Sequence, residues 1–268
     1  DAIWLNRDLF ARVQVVHAGR HELPPEEQQL TERYYVSFVR AGALLDDDKQ
    51  QRIRELNEQA SKLTPKFQER LLADTKSLAV IIDTKEELDG LSDSDISSAA
   101  DAAKEAGHEG KFLITLELPT SQGILSSLNN RDTRKRVFEA SGQRCNQDNE
   151  NDTKEIVLEL CSIRAERAEL LGYETHSHYV LDDETSGTPA AVEEMMGSMT
   201  PSIVEKTMAE AKELQKHLDQ VAVGTKLEAW DWAWAAEQVR KKQYDLDEAE
   251  VKAKLLKHFL KLFEATQV

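Results

Sequence analysis

Basic residues are in deficit: 34 Lys and Arg stand against 50 Asp and Glu, a formal net charge of -16 at pH 7. A polyanion repels phosphate backbones, which removes nonspecific nucleic-acid binding from the functions to consider. Cysteine is scarce. Cys145 and Cys161 are the only two, they make no CxxC pair, and each reads as a small buried or idle thiol of a reducing, cytoplasmic compartment. Long apolar runs are missing as well. The richest, Leu78 to Ile82 and Phe112 to Leu116, fall far short of the ~18 residues that a membrane-spanning helix needs. No charged-then-apolar leader opens the chain, and its first residue is Asp1 rather than Met, which points to a processed or cut start. What remains is a chain with 40% hydrophobic residues, enough for a packed core in one large or two small domains.

The periodicity is mostly helical. Tyr34, Tyr35, Phe38, Val39 and Leu45 recur three or four apart behind Pro24 and Pro25, which predicts a helix over 25–45. Ile53, Leu56, Ala60, Leu63, Phe67, Leu71 and Leu72 continue the rhythm over 46–76 after an acidic start, with Pro65 expected to kink or split that helix. Two short runs rich in branched residues, 78–82 and 112–118, read as strands. Between them Ser92, with Asp95 three residues on, caps a helix that Gly107 and Gly110 end. Helices are predicted again over 121–129 and 131–143, followed by a polar stretch over 143–151 that reads as a flexible loop or a crossing between subdomains. Ile156, Val157, Leu160, Cys161, Ile163, Ala168 and Leu171 then mark a strongly amphipathic helix from Asp152 that Gly172 terminates. Further helices are expected over 175–181, 188–220, 229–242 and 247–266. The fold class is therefore mainly α, a multi-helix array with a small β-sheet.

Residues able to carry chemistry are few. His17 and His21 lie four apart and would share one helix face as a metal pair, but a zincin has Glu directly after its first His and here Ala18 stands there. They read as surface histidines near a helix end. His176 and His178 beside Asp182, Asp183 and Glu184 form a second cluster, but positions two apart point to different helix faces, so one packs and the other is solvated. Asp148, Glu150, Asp152 and Glu159 match part of a calcium-loop spacing, which Thr153 defeats by standing where the turn wants Gly. Asp152 or Asn151 as a helix cap accounts for them better. Asp46, Asp47 and Asp48, like Asp182 to Glu184, read as solvated helix starts. Trp230, Trp232 and Trp234 read as packing at a helix junction rather than a ligand-stacking surface. No Ser/His/Asp, Cys/His or Gly-rich phosphate-loop pattern rises above chance in a chain where Ser and Asp are common.

Seven segments go further: Leu5 to Val13, Leu71 to Thr75, Glu87 to Asp93, Ala102 to Leu125 (AAKEAGHEGKFLITLELPTSQGIL), Asn130 to Ser141 (NRDTRKRVFEAS), Asn151 to Glu184 (with RAERAELLGY) and Trp230 to Val251 (WDWAWAAEQVRKKQYDLDEAEV). In this order they resemble the middle of a bacterial peptidyl-dipeptidase of the thimet-oligopeptidase family of zinc peptidases. The resemblance implies a mostly helical, two-lobed enzyme with a deep channel, releasing C-terminal dipeptides from short peptides. A small sheet beside its catalytic centre would contain the two strands, with Leu113, Ile114, Thr115, Leu116 and Glu117 as the peptide-binding residues, pairing by backbone with an extended peptide. The family's HExxH, its further zinc-binding Glu and its carbonyl-polarising His and Tyr lie beyond the WDW segment, past Val268. The resemblance therefore carries over no catalytic residue, no metal ligand and no cofactor in this chain, zinc belonging to the full-length family. Ala235 and the run Ala253, Lys254 and Leu255 also depart from the family pattern. The expected partners are short peptides and either a second copy of the chain or a complementing C-terminal segment; nucleic acid and membrane are not expected. The alternative is a stand-alone helical peptide-binding or interaction module.

Overall fold

A computed structural model describes residues 3–117 and 120–244, with 254, 255, 257 and 258. Its elements are α1 (Arg7–Ala18), α2 (Pro25–Ala41), α3 (Asp47–Ser77), β1 (Val80–Ile82), α4 (Asp93–Glu105), β2 (Phe112–Ile114), α5 (Thr120–Ser127), α6 (Arg131–Gly142), α7 (Lys154–Leu170), α8 (His176–Leu181), α9 (Pro189–Val221) and α10 (Trp232–Tyr244). The chain is mainly α. It divides into two compact units, one formed by residues 1–71 and 148–199, the other by 72–147 and 200–268.

The first unit is helical throughout. Asn6 caps α1 by accepting from the Leu9 amide at 3.0 Å, satisfying one of the donors a helix start leaves open. Pro25 occupies the first turn of α2, where its missing N–H costs nothing. Phe38 is buried against Phe10 and Trp4, with ring centroids 5.5 and 5.0 Å away. Burying such a ring stabilises by roughly 1.5–3 kcal/mol. The α2 to α3 turn is closed by the buried Gln50 amide, which donates to the Gly42 and Ala43 carbonyls. Arg52 joins α3 to α7 by a two-pronged contact with Glu166 at 2.5 and 2.9 Å. Gly172 ends α7 in the left-handed region that glycine alone enters freely, and Tyr173 N–H turns back to the Ala168 carbonyl.

The second unit holds the sheet. β1 and β2 are antiparallel, Val80 opposite Ile114 and Ile82 opposite Phe112. Val80, Ile82 and Ile114 share one core with Leu88, Leu116, Leu128 and Val137. Ser92 caps α4 through the Asp95 amide, and α4 packs on β2. Before it, Gly90 has φ +94°, and a Cβ there would stand 2.0 Å from the Ser127 carbonyl oxygen. Only glycine fits, since Asn129 N–H is simultaneously bound to the Asp89 carbonyl. After α6, Cys145 takes φ 58° with its amide donating to the buried Asp74 carboxylate at 2.5 Å.

Several elements differ from their sequence expectation. The first strand begins at Val80, not Leu78, because Leu78 and Ala79 amides still bond helically to Asp74 and Lys76. That also shortens the second strand. With Val80 opposite Ile114, residues 115 and 116 would have to pair with 79 and 78, whose amides bond back into the end of α3. α3 is not split at Pro65 but continues through it to Ser77. α2 ends at Ala41, where Gly42 turns left-handed. α7 is a helix, but its apolar residues lie on more than one face: Ile156, Ile163 and Ala168 are buried while Val157 and Leu158 are 43% and 68% exposed. The residues from 229 to 231 form a 3₁₀ turn ahead of α10. Leu118 and most of the helix expected over 247–266 lie outside the described residues.

Candidate functional site

The segment from Leu113 to Glu117, expected to meet a peptide, is held by the core of the second unit. Ile114 and Leu116 are each 1% exposed, while Leu113 and Thr115 are half-buried and Glu117 is exposed. The strand period of two explains this, even residues facing the core and odd ones the opposite side. Ile114 and Leu116 can thus meet a peptide only through their backbone, leaving Leu113, Thr115 and Glu117 to offer side chains. β1 is backed by α6, whose Arg136 donates to the Ile81 carbonyl and pairs with Glu87. Among the described residues no backbone hydrogen bond from another segment reaches Thr115, Leu116 or Glu117.

The histidine candidates do not converge. α1 ends at Ala18 and His21 sits in the following 3₁₀ turn, so the shared helix face that a metal pair needs does not exist. His17 is instead half-buried: its Nε2 meets Glu32 at 2.8 Å and its ring stacks on Tyr35, centroids 3.9 Å apart. His176 and His178 are both half-buried, so neither is fully solvated. His176 stacks on Tyr179, while His178 Nδ1 meets the Thr175 hydroxyl at 2.9 Å. Asp182 and Asp183 follow the end of α8 rather than starting a helix and pair with Arg40 and Arg33. Asp46 does cap a helix, through the Lys49 amide. In the calcium-like spacing the Lys154 ammonium lies between Asp148 and Asp152, 2.6 and 3.0 Å away. Asp152 also accepts the Lys154 amide, a cap one position outside α7. Among the described residues no three His, Cys, Asp or Glu side chains are placed to hold a metal.

The tryptophan run conceals a buried ionic hub. Asp231 has no exposed surface. Arg131 grips it with contacts of 2.7 to 3.1 Å, and Arg134, itself 2% exposed, reaches it at 3.0 Å. Burial pushes the Asp231 carboxyl up, but the bonds from Arg131, Arg134 and the Glu228 amide outweigh that and hold it below the usual carboxylate range. The indoles pack around it: Arg134 lies 4.5 Å over Trp234, whose Nε1 donates to Asn129, while Trp230 meets Phe138 edge-on and Arg131 and Lys135 over its face. Trp230 and Trp234 therefore pack at the junction of α6 with the start of α10. Sequence reading weighed the indoles and passed over the acid between them; a carboxylate inside an aromatic run, with two Arg on the neighbouring amphipathic helix, was the available signal.

The chain is mainly α, with a short sheet held by a buried core. The chain belongs to Peptidase family M3, whose profile matches residues 124–266, and with it to the thimet-oligopeptidase family. It is 36% identical over 252 residues to the dipeptidyl carboxypeptidase of Escherichia coli K12, covering 93% of this chain and 37% of that protein. The dipeptidyl carboxypeptidase of Salmonella typhimurium matches equally, at 36% over the same shares of each chain. A probable cytosolic oligopeptidase A of Arabidopsis thaliana is 27% identical over 87% of this chain and 34% of its own length. The chain thus spans little more than a third of these relatives. No described helix is long and apolar enough to cross a membrane.

Proposed function

We propose that this chain is a portion of a zinc peptidyl-dipeptidase that supplies channel wall and a substrate-side strand for short peptides and does not hydrolyse them by itself. The observation that carries this is the alignment of nearly the whole chain with dipeptidyl carboxypeptidases, taken with the absence of any His-Glu-x-x-His in its 268 residues. Without the water-activating Glu and the zinc that lowers the pKa of bound water, the amide bond has no nucleophile. The segment Leu113, Ile114, Thr115, Leu116 and Glu117 would pair with the peptide backbone, a mode that tolerates varied sequences because main-chain groups do the binding.

A second reading, a stand-alone peptide-binding module, draws support from the buried core that each unit carries. The two readings share a test. Incubated with added zinc and an N-blocked tetrapeptide, the chain should release no C-terminal dipeptide by mass spectrometry; chelator-sensitive release would overturn the non-catalytic reading. Labelled amides of 113–117 should shift on titration with the same peptide, and Thr115→Pro, which removes one backbone donor, should weaken that response. A cooperative unfolding transition of the isolated chain would favour the module.

A further inference from the structure

The first unit contains an open cavity of about 250 Å³ whose wall includes Trp4, Ser37, Arg40, Arg167, Tyr179 and Asp183. Its two guanidinium groups are not equivalent. Arg40 is saturated, donating to Asp182 at 2.8 Å, to the Tyr179 carbonyl at 2.6 Å and to the Tyr173 hydroxyl at 3.4 Å. Asp183 in turn is taken by Arg33 at 2.6 Å, so those two arginines and two aspartates cancel. Arg167 has no such match. It donates to the Tyr179 hydroxyl at 3.0 Å, and among the described residues no carboxylate pairs with it. Guanidinium carries five donors in a fixed fork suited to two oxygens of one anion. Withdrawing it partly from water with no counter-charge is unfavourable, and an anion in the cavity offsets that cost.

The surroundings decide which anion. Both Arg40 and Arg167 lie over the Tyr179 ring, 4.6 and 5.2 Å from its centroid, and the Trp4 indole, 36% exposed, supplies an apolar wall. His176, on the same helix as Tyr179, is held below its ordinary value by burial first and then by Arg164 and Arg167. The geometry points to a ligand site in this unit, taking a carboxylate carried on a small apolar or aromatic body, with Arg167 as the anion-binding group and Trp4 as the apolar wall.

Calorimetric titration of the whole chain with N-acetylphenylalanine and with its amide tests this. The acid should bind, and the amide should bind about tenfold more weakly or worse, the loss expected when a charge-assisted contact is removed. Arg167→Gln should weaken the acid by a similar factor and leave the amide unchanged. Ser37→Leu, which fills the mouth without touching the charge, should abolish binding of the acid, and it carries the test if Arg167→Gln fails to fold by circular dichroism. Equal affinity for acid and amide, no binding of either, or inorganic phosphate binding as tightly as the acid would each overturn the assignment. A blocked tripeptide ending in a free carboxyl separates the sources: if it binds as the small acid does, the ligand is a chain terminus, and if it does not, a free acid.

Discussion

Asp231 is the residue on which the aromatic junction of the second unit depends. Removing its carboxylate leaves Arg134 buried without a counter-charge, and breaking a buried pair from one side costs about 3–5 kcal/mol. Asp231→Ala should therefore lower the urea midpoint by that equivalent, whereas Lys226→Ala, which loses only an exposed contact to Glu228 at 3.9 Å, should stay within ~0.5 kcal/mol of the parent. Two histidines set a pH dependence. His176 and His217 are both held below the ordinary imidazole value of about 6.5, first by burial and then by neighbouring cations, Arg164 and Arg167 for the one and Lys242 for the other. Between the folded and unfolded values the unfolded chain binds more protons, so stability is fully present above the unfolded value and declines as pH falls through it. Denaturation midpoints should fall from pH 7.5 to 5.5, and His176→Gln should flatten the decline. At this scale sequence reading reached the caps Ser92 and Asp152 because capping is local. It missed Asp231 because its partners, Arg131 and Arg134, are about a hundred residues away in the chain.

Among the elements, α3 shows how tertiary contacts override a local breaker. Pro65 lacks the N–H that would bond to the Ser61 carbonyl, and a proline inside a helix costs roughly 3 kcal/mol. The helix nonetheless runs from Asp47 to Ser77, anchored by Ile53 and Leu56 near one end and by buried Asp74 and Thr75 near the other. Pro65 is exposed, so Pro65→Ala removes little packing and should raise stability by about 1–2 kcal/mol, less than the full proline penalty because proline also restricts the unfolded chain. An unchanged or lower thermal midpoint would show that the proline is not strained there. The sheet illustrates the converse. Hydropathy marks Thr115, Leu116 and Glu117 as strand like their neighbours, yet pairing stops at Ile114 because the residues opposite are consumed by the end of α3. Strand length is a property of the pair, and one segment alone does not reveal it.

Among the described residues several apolar side chains are exposed. Val157 and Leu158 on α7 and Met195 and Met199 on α9 are between 42% and 68% exposed, and apolar surface of that kind promotes association. Self-association is the expected outcome, read by light scattering across the micromolar range; a monomer throughout would count against it. What the sequence by itself determined about this protein is its helical class, the existence of both strands, most helix starts and stops, and its kinship with the thimet-oligopeptidase family. Each of these is written in short-range periodicity, in capping residues or in contiguous motifs, so it can be read without knowing what touches what. Only the tertiary structure decided where β2 stops pairing, that His17 serves Glu32 and Tyr35 instead of a metal with His21, that Asp231 binds two arginines under the tryptophans, and that Arg167 is left unmatched beside Tyr179. Those outcomes depend on groups brought together across long stretches of chain, and on burial, which makes a charge costly unless something in the fold answers it.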